Sequence, residues 1–170
     1  METGQSESMH ENTNTAETDS GSSTDSVGAT GAEVVRFDTK VVVVLRDDLL
    51  PWQELNVTAF LTSGIATSES GLVGENYRDG DGNDYLPMLR QPVLVMTADG
   101  ALLAKAREKA LGRGIPLAVY TQELFSTGHD AANREAVASV AAEDLNLVGI
   151  ALRGPKNAVD RVVKGARMHG

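Results

Sequence analysis

The chain has 170 residues, of which 41% are hydrophobic, so it can form one domain with a buried core. It contains no cysteine, which excludes disulfide bonds and thiolate chemistry. The formal net charge of −9 and the lack of a broad basic cluster argue against nucleic acid as a partner. The longest strongly apolar run, residues 41–45, is too short to cross a bilayer, and the N-terminus has no secretory-signal pattern. We therefore expect a cytoplasmic protein without a membrane partner.

The N-terminal segment differs in composition from the rest of the chain. Residues 1–32 contain six acidic and no basic residues and consist largely of Ser, Thr, Gly and Asn. Such a segment cannot bury enough apolar surface to offset the entropy lost on folding. We predict a disordered acidic tail over residues 1–33 and one folded domain over residues 34–170.

Strand-like and helix-like segments alternate along the predicted domain. Residues 40–46, KVVVVLR, form a β-branched run typical of a strand buried on both faces. Further strands are predicted at 91–97, 115–120, 145–152 and 166–168. Helices are predicted between the strands: 52–66, from Asp99 to Gly112 or Gly114, in pieces over 123–142, and from Pro155 to Gly165. This alternation predicts a three-layer α/β sandwich around a small mixed, mostly parallel sheet.

The first predicted helix has two distinct sides. One side is expected to face the core through Val57, Phe60, Leu61, Gly64 and Ile65. The other side carries Trp52 and Asn56 among small residues. A covered amide needs a hydrogen-bond partner, and for Asn56 this partner is either a ligand or a neighbouring backbone group.

The sequence RDGDGNDYLP, residues 78–87, alternates acids, amides and glycines as a calcium loop does. With Asp79 at the first position, however, the sixth position is Asp84 instead of glycine and the twelfth is Arg90 instead of glutamate. The Asp-Gly and Gly-Asn pairs are typical of a tight hairpin between extended segments. We predict a hairpin without a metal ion, whose acidic side chains face solvent or the rim of a crevice.

Polar residues follow the first predicted strand, at the edge where an open α/β sheet binds its ligand. Arg46 and Asp48 leave this strand end, so they either contact a ligand or form a helix cap and a surface ion pair. The predicted ligand crevice is lined by Arg46, Asp48, Trp52, Asn56 and the turn 74–85, which begins at Gly74.

Lys156 and the histidines are weaker candidates for functional residues. Lys156 stands at the start of the last predicted helix. It either binds an anion there or has no role beyond following the proline that begins the helix. The three histidines, His10, His129 and His169, have no partner acid, nucleophile or second metal ligand at a suitable spacing. We therefore expect no Ser-His-Asp triad, no metal site and no cofactor.

Three segments in sequence order resemble the type II peptidyl-tRNA hydrolase fold: KVVVVLRDDL, QPVLVMTADGALLAKAREKALGRGIPLAVY and LVGIALRGPKNAVDRVVKGARM. The resemblance covers residues 38–169 and is closer to a related family, domain of unknown function 2000. In that family too, an R-x-D-L-like element ends the first strand and a V-G-x-A-L-x-G-P-K-like segment lies near the end of the chain. The resemblance implies a peptidyl-tRNA-hydrolase-like fold.

The sequence differs from the hydrolase pattern at the positions where the hydrolases carry their functional residues. The hydrolases carry a lysine, a glutamine and a histidine along the first helix, and the matching positions here are Leu55, Ala59 and Thr62. The hydrolases also carry an acid and a threonine after the third strand. The matching positions here are Gln122 and Ser126, and Glu123 lies one position away from the first of them. Losing the lysine removes the cation that would stabilise a phosphate or a developing oxyanion. The resemblance therefore implies the fold without the hydrolase activity.

Two classes of function stay open on this basis. The first is a module that binds a small molecule or a protein partner in the predicted crevice. The second is a hydrolase of peptidyl- or aminoacyl-tRNA, or of a simpler ester or amide, with Asp48 or Glu123 as base. The missing lysine and the lack of a basic surface favour the binding module. A homodimer is a further hypothesis.

Overall fold

The computed structural model describes residues 35–170, so the predicted acidic tail lies outside the described residues. The strands are β1 (Thr39–Arg46), β2 (Tyr77–Arg78), β3 (Asp84–Tyr85), β4 (Val93–Ala98), β5 (Leu117–Thr121), β6 (Leu147–Pro155) and β7 (Arg167–Met168). The α-helices are α1 (Pro51–Ala66), α2 (Gly100–Leu111), α3 (Asp130–Ala138) and α4 (Lys156–Val162). Short 3₁₀ helices cover Gln122–Ser126 and Ala142–Asp144. Over this part of the chain, no helix is both long enough and apolar enough to span a membrane.

Five strands form one mixed sheet in the order β5-β6-β1-β4-β7. Only β1 and β4 pair in parallel, whereas the β1–β6, β5–β6 and β4–β7 pairs are antiparallel. The mixed α/β sheet is confirmed, but the prediction that it is mostly parallel is wrong.

The connection from β5 to β6 explains the error. The Gln122 amide, just after β5, donates to the Asn146 carbonyl, just before β6, at 2.9 Å. The connecting segment therefore starts and ends at one end of the sheet, and β6 must return antiparallel between β5 and β1. Alternation of strands and helices predicts a crossover at each step, but no crossover occurs here.

Strand β1 lies at the centre of the sheet and is buried on both faces, as its β-branched run predicts. Val41, Val43 and Leu45 point to the side that α1 covers. Val42 and Val44 point to the other side, where they pack with residues of α2 and α4. Two hydrophobic clusters therefore share this strand, one on each face of the sheet.

The ends of two helices test the capping predictions. The Asp99 carboxylate accepts a hydrogen bond from the Leu102 amide at 2.7 Å, which confirms Asp99 as the N-cap of α2. Helix α4 begins at Lys156, and Pro155 is the last residue of β6 instead of a residue of the first helical turn. The predicted proline start is therefore displaced by one residue.

Helix α1 packs on the sheet through Val57, Leu61 and Ile65, which are all buried. Phe60 does not belong to this buried stripe, because 52% of its surface is exposed. Its ring lies against Tyr120 of β5, with the ring centroids 5.8 Å apart. The predicted core position of Phe60 is thus wrong: it lies at the edge of the helix interface instead of beneath the helix.

Gly149 of β6 allows α1 to approach the sheet closely. A Cβ atom at this position would lie 2.6 Å from Cγ1 of Val57 and 3.0 Å from Cδ1 of Leu61. Contacts of 2.6 Å between carbon atoms are repulsive, so any larger residue would push α1 away from β6. The position of α1, and of the side chains it carries, depends on this glycine.

Strands β2 and β3 form the hairpin predicted for residues 78–87. Gly82 adopts a φ of 89°, which glycine reaches without strain. The Asp79 carboxylate accepts hydrogen bonds from the backbone and side-chain amides of Asn83, the hydroxyl of Tyr85 and the amide of Asp81. Because four donors of the turn itself hold this carboxylate, Asp79 serves as the hydrogen-bonding centre of the hairpin.

We expect Gly149→Ala to lower the free energy of unfolding by about 1–3 kcal/mol, because the new methyl group overlaps Val57 and Leu61. Urea unfolding of the purified protein measures this change. The matched control is Gly80→Ala, where nothing lies within 4 Å of the added Cβ and the expected change is below about 0.5 kcal/mol. Equal stabilities of the Gly149 variant and the wild type would contradict the close packing of α1.

The second prediction concerns the titration of Asp79. Hydrogen bonds, the largest from the Asn83 side chain and then from Tyr85, lower the pKa of Asp79 from 3.8 to about 2. Because the folded pKa is the lower one, Asp79 stabilises the hairpin above about pH 3.8 and loses this effect as the pH falls towards 2. Carbon-13 NMR of the carboxyl group measures the pKa directly.

In the Asn83→Ala variant the pKa of Asp79 is expected to rise towards 3.8, because its strongest donor is gone. Asn76→Ala, an exposed position outside the hairpin, is the matched control and should leave the titration unchanged. A wild-type Asp79 that already titrates near 3.8 would show that the turn does not hold its carboxylate in this way.

Candidate ligand-binding site

Arg46 ties together the ends of three strands. Its guanidinium donates to Asp48 Oδ1 at 2.6 Å, to Asn146 Oδ1 at 2.8 Å, to Gln122 Oε1 at 3.1 Å and to the Leu147 carbonyl at 3.3 Å. Only 18% of the Arg46 side chain is exposed. Since its donors are used within the protein, Arg46 stabilises the sheet edge beside the site described below.

The two candidate bases lie near this edge. Asp48 is exposed, and its Oδ1 atom is paired with Arg46. Glu123 is the second residue of the 3₁₀ helix after β5, and it is exposed as well. Neither carboxylate lines the cavities at this end of the sheet, so their catalytic role stays a prediction.

A cleft of about 400 Å³ lies between α1 and the segment that leads from β5 into α3. We call it the α1–α3 cleft. It is lined by Trp52, Asn56, Phe60, Tyr120, Leu124, Phe125, Thr127, Gly128, His129, Asp130 and Asn133. The chain has seven aromatic residues in all, and four of them lie in this one cleft.

The four aromatic rings form a connected wall. Trp52 and Phe125 meet edge to face with centroids 5.5 Å apart, and Phe125 and Tyr120 lie 5.2 Å apart. Phe60 continues the row next to Tyr120. Tyr120 is buried, whereas 56% of Trp52 and 52% of Phe60 are exposed. The wall is therefore anchored in the core and offers uncovered apolar surface along the cleft.

Asn56 adds a fixed polar group to this wall. The Tyr120 hydroxyl donates to Asn56 Oδ1 at 3.1 Å, so the partner of the amide is a side chain and not the backbone. Burial raises the pKa of Tyr120 above its ordinary value and keeps the hydroxyl protonated as a donor. Within residues 35–170, no protein acceptor takes a hydrogen bond from Nδ2 of Asn56. This nitrogen is available as a donor to a ligand.

The rim of the cleft is formed by the start of α3. His129 caps this helix, because its Nδ1 atom accepts the Ala132 amide at 3.2 Å. A neutral ring in this role carries its proton on Nε2, which becomes a donor. Thr127 bonds to Asn133 and also to the Leu124 carbonyl. The rim therefore presents a small number of oriented polar groups above the aromatic wall.

Helix α3 covers a second hollow of about 510 Å³ that continues the cleft along α1. The two spaces share Phe60, Tyr120, Leu124, Asp130 and Asn133. Ala118, Val119 and Val137 give the second hollow an apolar lining. No residue of α3 is fully buried, so few contacts hold this helix over the groove.

The structure brings together only some of the residues predicted for the ligand crevice. Trp52 and Asn56 line the α1–α3 cleft. Arg46 and Asp48 lie at the strand end next to it.

Gly74 and Lys156 belong to the other end of the sheet. The Gly74 amide bonds to the Met88 carbonyl, shortly before β4 begins, and the Lys156 amide bonds to the Asp38 carbonyl, just before β1. Gly74 therefore lies apart from Trp52 and Asn56, and Lys156, which is predicted separately as an anion contact, lies at that other end as well.

Three aromatic residues of the cleft are not among those predicted for the ligand crevice. The apolar pattern of α1 assigns Phe60 to the core, although Trp52, Asn56 and Phe60 follow each other at four-residue spacing and share one side of the helix. Tyr120 and Phe125 approach this helix side only through the path of the chain after β5. A local pattern could therefore reveal Phe60 but neither of the other two.

Comparisons with known proteins identify a family but no activity. The solved structure of a protein of unknown function from Agrobacterium tumefaciens strain C58 is similar to this chain, with 47% sequence identity and a TM-score of 0.77. The match covers 79% of this chain and 100% of that chain. The comparison with curated proteins returns no match. The profile described as "Protein of unknown function (DUF2000)" matches residues 39–170, and the chain therefore belongs to the DUF2000 family.

Proposed function

We propose that this protein is a binding module for a small, planar, largely apolar molecule with one or two hydrogen-bonding groups. The ligand would occupy the α1–α3 cleft. The observation that carries this proposal is the concentration of four of the seven aromatic residues in one cleft, with Trp52 and Phe60 half exposed. Ligand sites are typically apolar clefts with a few oriented polar groups.

The aromatic wall supplies the binding energy in this proposal. A planar ring that covers Trp52 and Phe125 removes their exposed surface from water, at about 25 cal/mol per Å². Stacked or edge-to-face ring pairs add about 0.5–1.5 kcal/mol each. Asn56 and the rim of α3 would orient the ligand through its polar groups, because an amide held by Tyr120 needs little reorganisation.

The charges around the cleft favour an uncharged ligand. The side chains of this lining that can carry a charge near neutral pH are His129 and Asp130. Asp130 is paired with Arg134, one turn further along α3. An anionic ligand would find no lysine or arginine in this lining to replace its hydration, and the one carboxylate that could face a cation, Asp130, is already paired.

We further propose a three-layer architecture related to type II peptidyl-tRNA hydrolases. Its support is the packing of α1 on one face of the sheet and of α2 and α4 on the other, together with the RDDL element after β1. At the position that matches the hydrolase lysine, Leu55 is 75% exposed and lies with Thr58 and Met168, away from the cleft. Even if the chain is related to the hydrolases, the position of their lysine therefore places no cation in the α1–α3 cleft.

Acyl hydrolysis is the alternative function. Its candidate bases, Asp48 and Glu123, lie outside the cleft lining, so we favour binding. We expect no turnover of N-acetyl-aminoacyl-tRNA by the purified protein at any salt concentration. Turnover that is lost in Asp48→Asn and kept in the matched Asp47→Asn variant would instead establish a hydrolase.

Binding in the cleft can be followed through Trp52, because it is the only tryptophan of the chain. Benzamide, a planar ring with one amide, is a suitable probe and should change the Trp52 fluorescence in a saturable way. We expect Phe125→Ala to weaken the binding of benzamide at least about fivefold, because one ring of the wall is lost.

Leu55→Ala provides the matched control for this titration. Leu55 lies on α1 but faces away from the cleft, so its removal should leave the affinity for benzamide unchanged. Absence of saturable fluorescence change, or equal weakening in both variants, would contradict the proposed binding site.

A further inference from the structure

Another cavity of about 400 Å³ lies at the opposite end of the sheet from the α1–α3 cleft. Its lining includes Arg36, Asp38, Thr39, Arg90, Gln91 and Arg153. We call it the arginine cavity. Thr39 is the first residue of β1 and Arg46 is the last, so the two sites are separated by the length of that strand, roughly 23 Å.

Three guanidinium groups line the arginine cavity. Arg36 and Arg90 are exposed, and within residues 35–170 neither forms an ion pair with a carboxylate. Arg153 is paired with Glu69, and Asp38 is the one carboxylate of the lining. The cavity therefore holds more positive than negative groups, and two of its arginines are available to an anion.

Arg153 is held beside the cavity by hydrogen bonds to the buried Gln91 and the exposed Glu69. Gln91 is only 8% exposed, and its Oε1 atom accepts hydrogen bonds from Thr39 Oγ1 at 2.9 Å and from Arg153 Nε at 3.4 Å. The Arg153 side chain is 22% exposed, and Nη1 contacts Glu69. Its Nη2 atom has no protein acceptor in the described part of the chain. One fixed donor therefore remains beside the two exposed arginines.

The positive surface continues into an adjacent hollow of about 280 Å³. This hollow shares Arg36, Thr39 and Gln91 with the arginine cavity and adds Lys40 and Lys156. Together, the two spaces contain five of the fifteen basic side chains of a chain whose net charge is −9. Two of the five, Lys40 and Arg153, are paired with Asp160 and Glu69, so Arg36, Arg90 and Lys156 carry the excess positive charge. A local positive region on an acidic protein attracts small anions selectively.

We infer that the arginine cavity binds a small anion that carries a carboxylate or phosphate group. The planar guanidinium of arginine matches the oxygens of both groups and forms charge-assisted hydrogen bonds with them. The exposed Arg36 and Arg90, together with the less exposed Arg153, would supply the donors to the anion. The arginine cavity shares no lining residue with the α1–α3 cleft.

Isothermal titration calorimetry with inorganic phosphate and, separately, with succinate tests the inference. Sodium chloride keeps the ionic strength constant, so that general screening does not contribute. We expect saturable binding of at least one anion to the full chain. Binding of phosphate alone would assign a phosphate ligand, and binding of succinate alone would assign a carboxylate ligand.

The double variant Arg36→Gln/Arg90→Gln should weaken this binding about tenfold or more, because two charge-assisted hydrogen bonds are lost. The matched control is Lys105→Gln/Arg113→Gln, which removes the same charge from exposed positions in and after α2. The control should change the affinity less than about twofold, because exposed and distant charges are screened.

A second variant keeps the test valid if the glutamine variant does not fold. Arg90→Lys retains the charge but loses the planar pair of donors, and it should bind the anion more weakly than the wild type. No saturable binding of either anion at constant ionic strength would overturn the inference. Equal losses in the glutamine and control double variants would overturn it as well.

Discussion

The close contact between α1 and β6 determines where the candidate site forms. Because Gly149 has no side chain, Val57 and Leu61 pack directly on the sheet. This contact fixes the rotation of α1 about its axis, since buried residues on one side leave Trp52 and Asn56 on the flank that faces β5. The positions of the aromatic wall and of Asn56 therefore depend on how α1 packs on β6.

The two ends of the sheet differ in chemistry. At one end, Arg46 donates four hydrogen bonds within the protein, three of them to residues beside the ends of β5 and β6, and the open space beside it is aromatic and has few charged groups. At the other end, Arg36 and Arg90 are exposed and converge on a polar cavity. Arginine therefore acts as a structural tie in one place and as a candidate anion ligand in the other, and the number of protein acceptors around each guanidinium distinguishes the two roles.

Much of the fold could be predicted from local patterns, whereas the site could not. The β-branched run of β1, the Asp99 cap and the glycine-rich hairpin each depend on neighbouring residues, and each formed as expected. The direction of β6 depends on its pairing with β1 and β5 and on the connection between Gln122 and Asn146, which lie 24 positions apart in sequence. The cleft depends on the same connection, because it carries Phe125 and α3 to the side of α1. Helical spacing identified Trp52 and Asn56 but could not supply their partners.

The central claim is that the α1–α3 cleft is a ligand site, and a crystal structure of the protein purified from its native cells tests it most directly. Electron density for a retained small molecule should lie against Trp52 and Phe125, with a polar atom within hydrogen-bond distance of Asn56 Nδ2. A retained molecule bound elsewhere, with only water between α1 and α3, would contradict the claim.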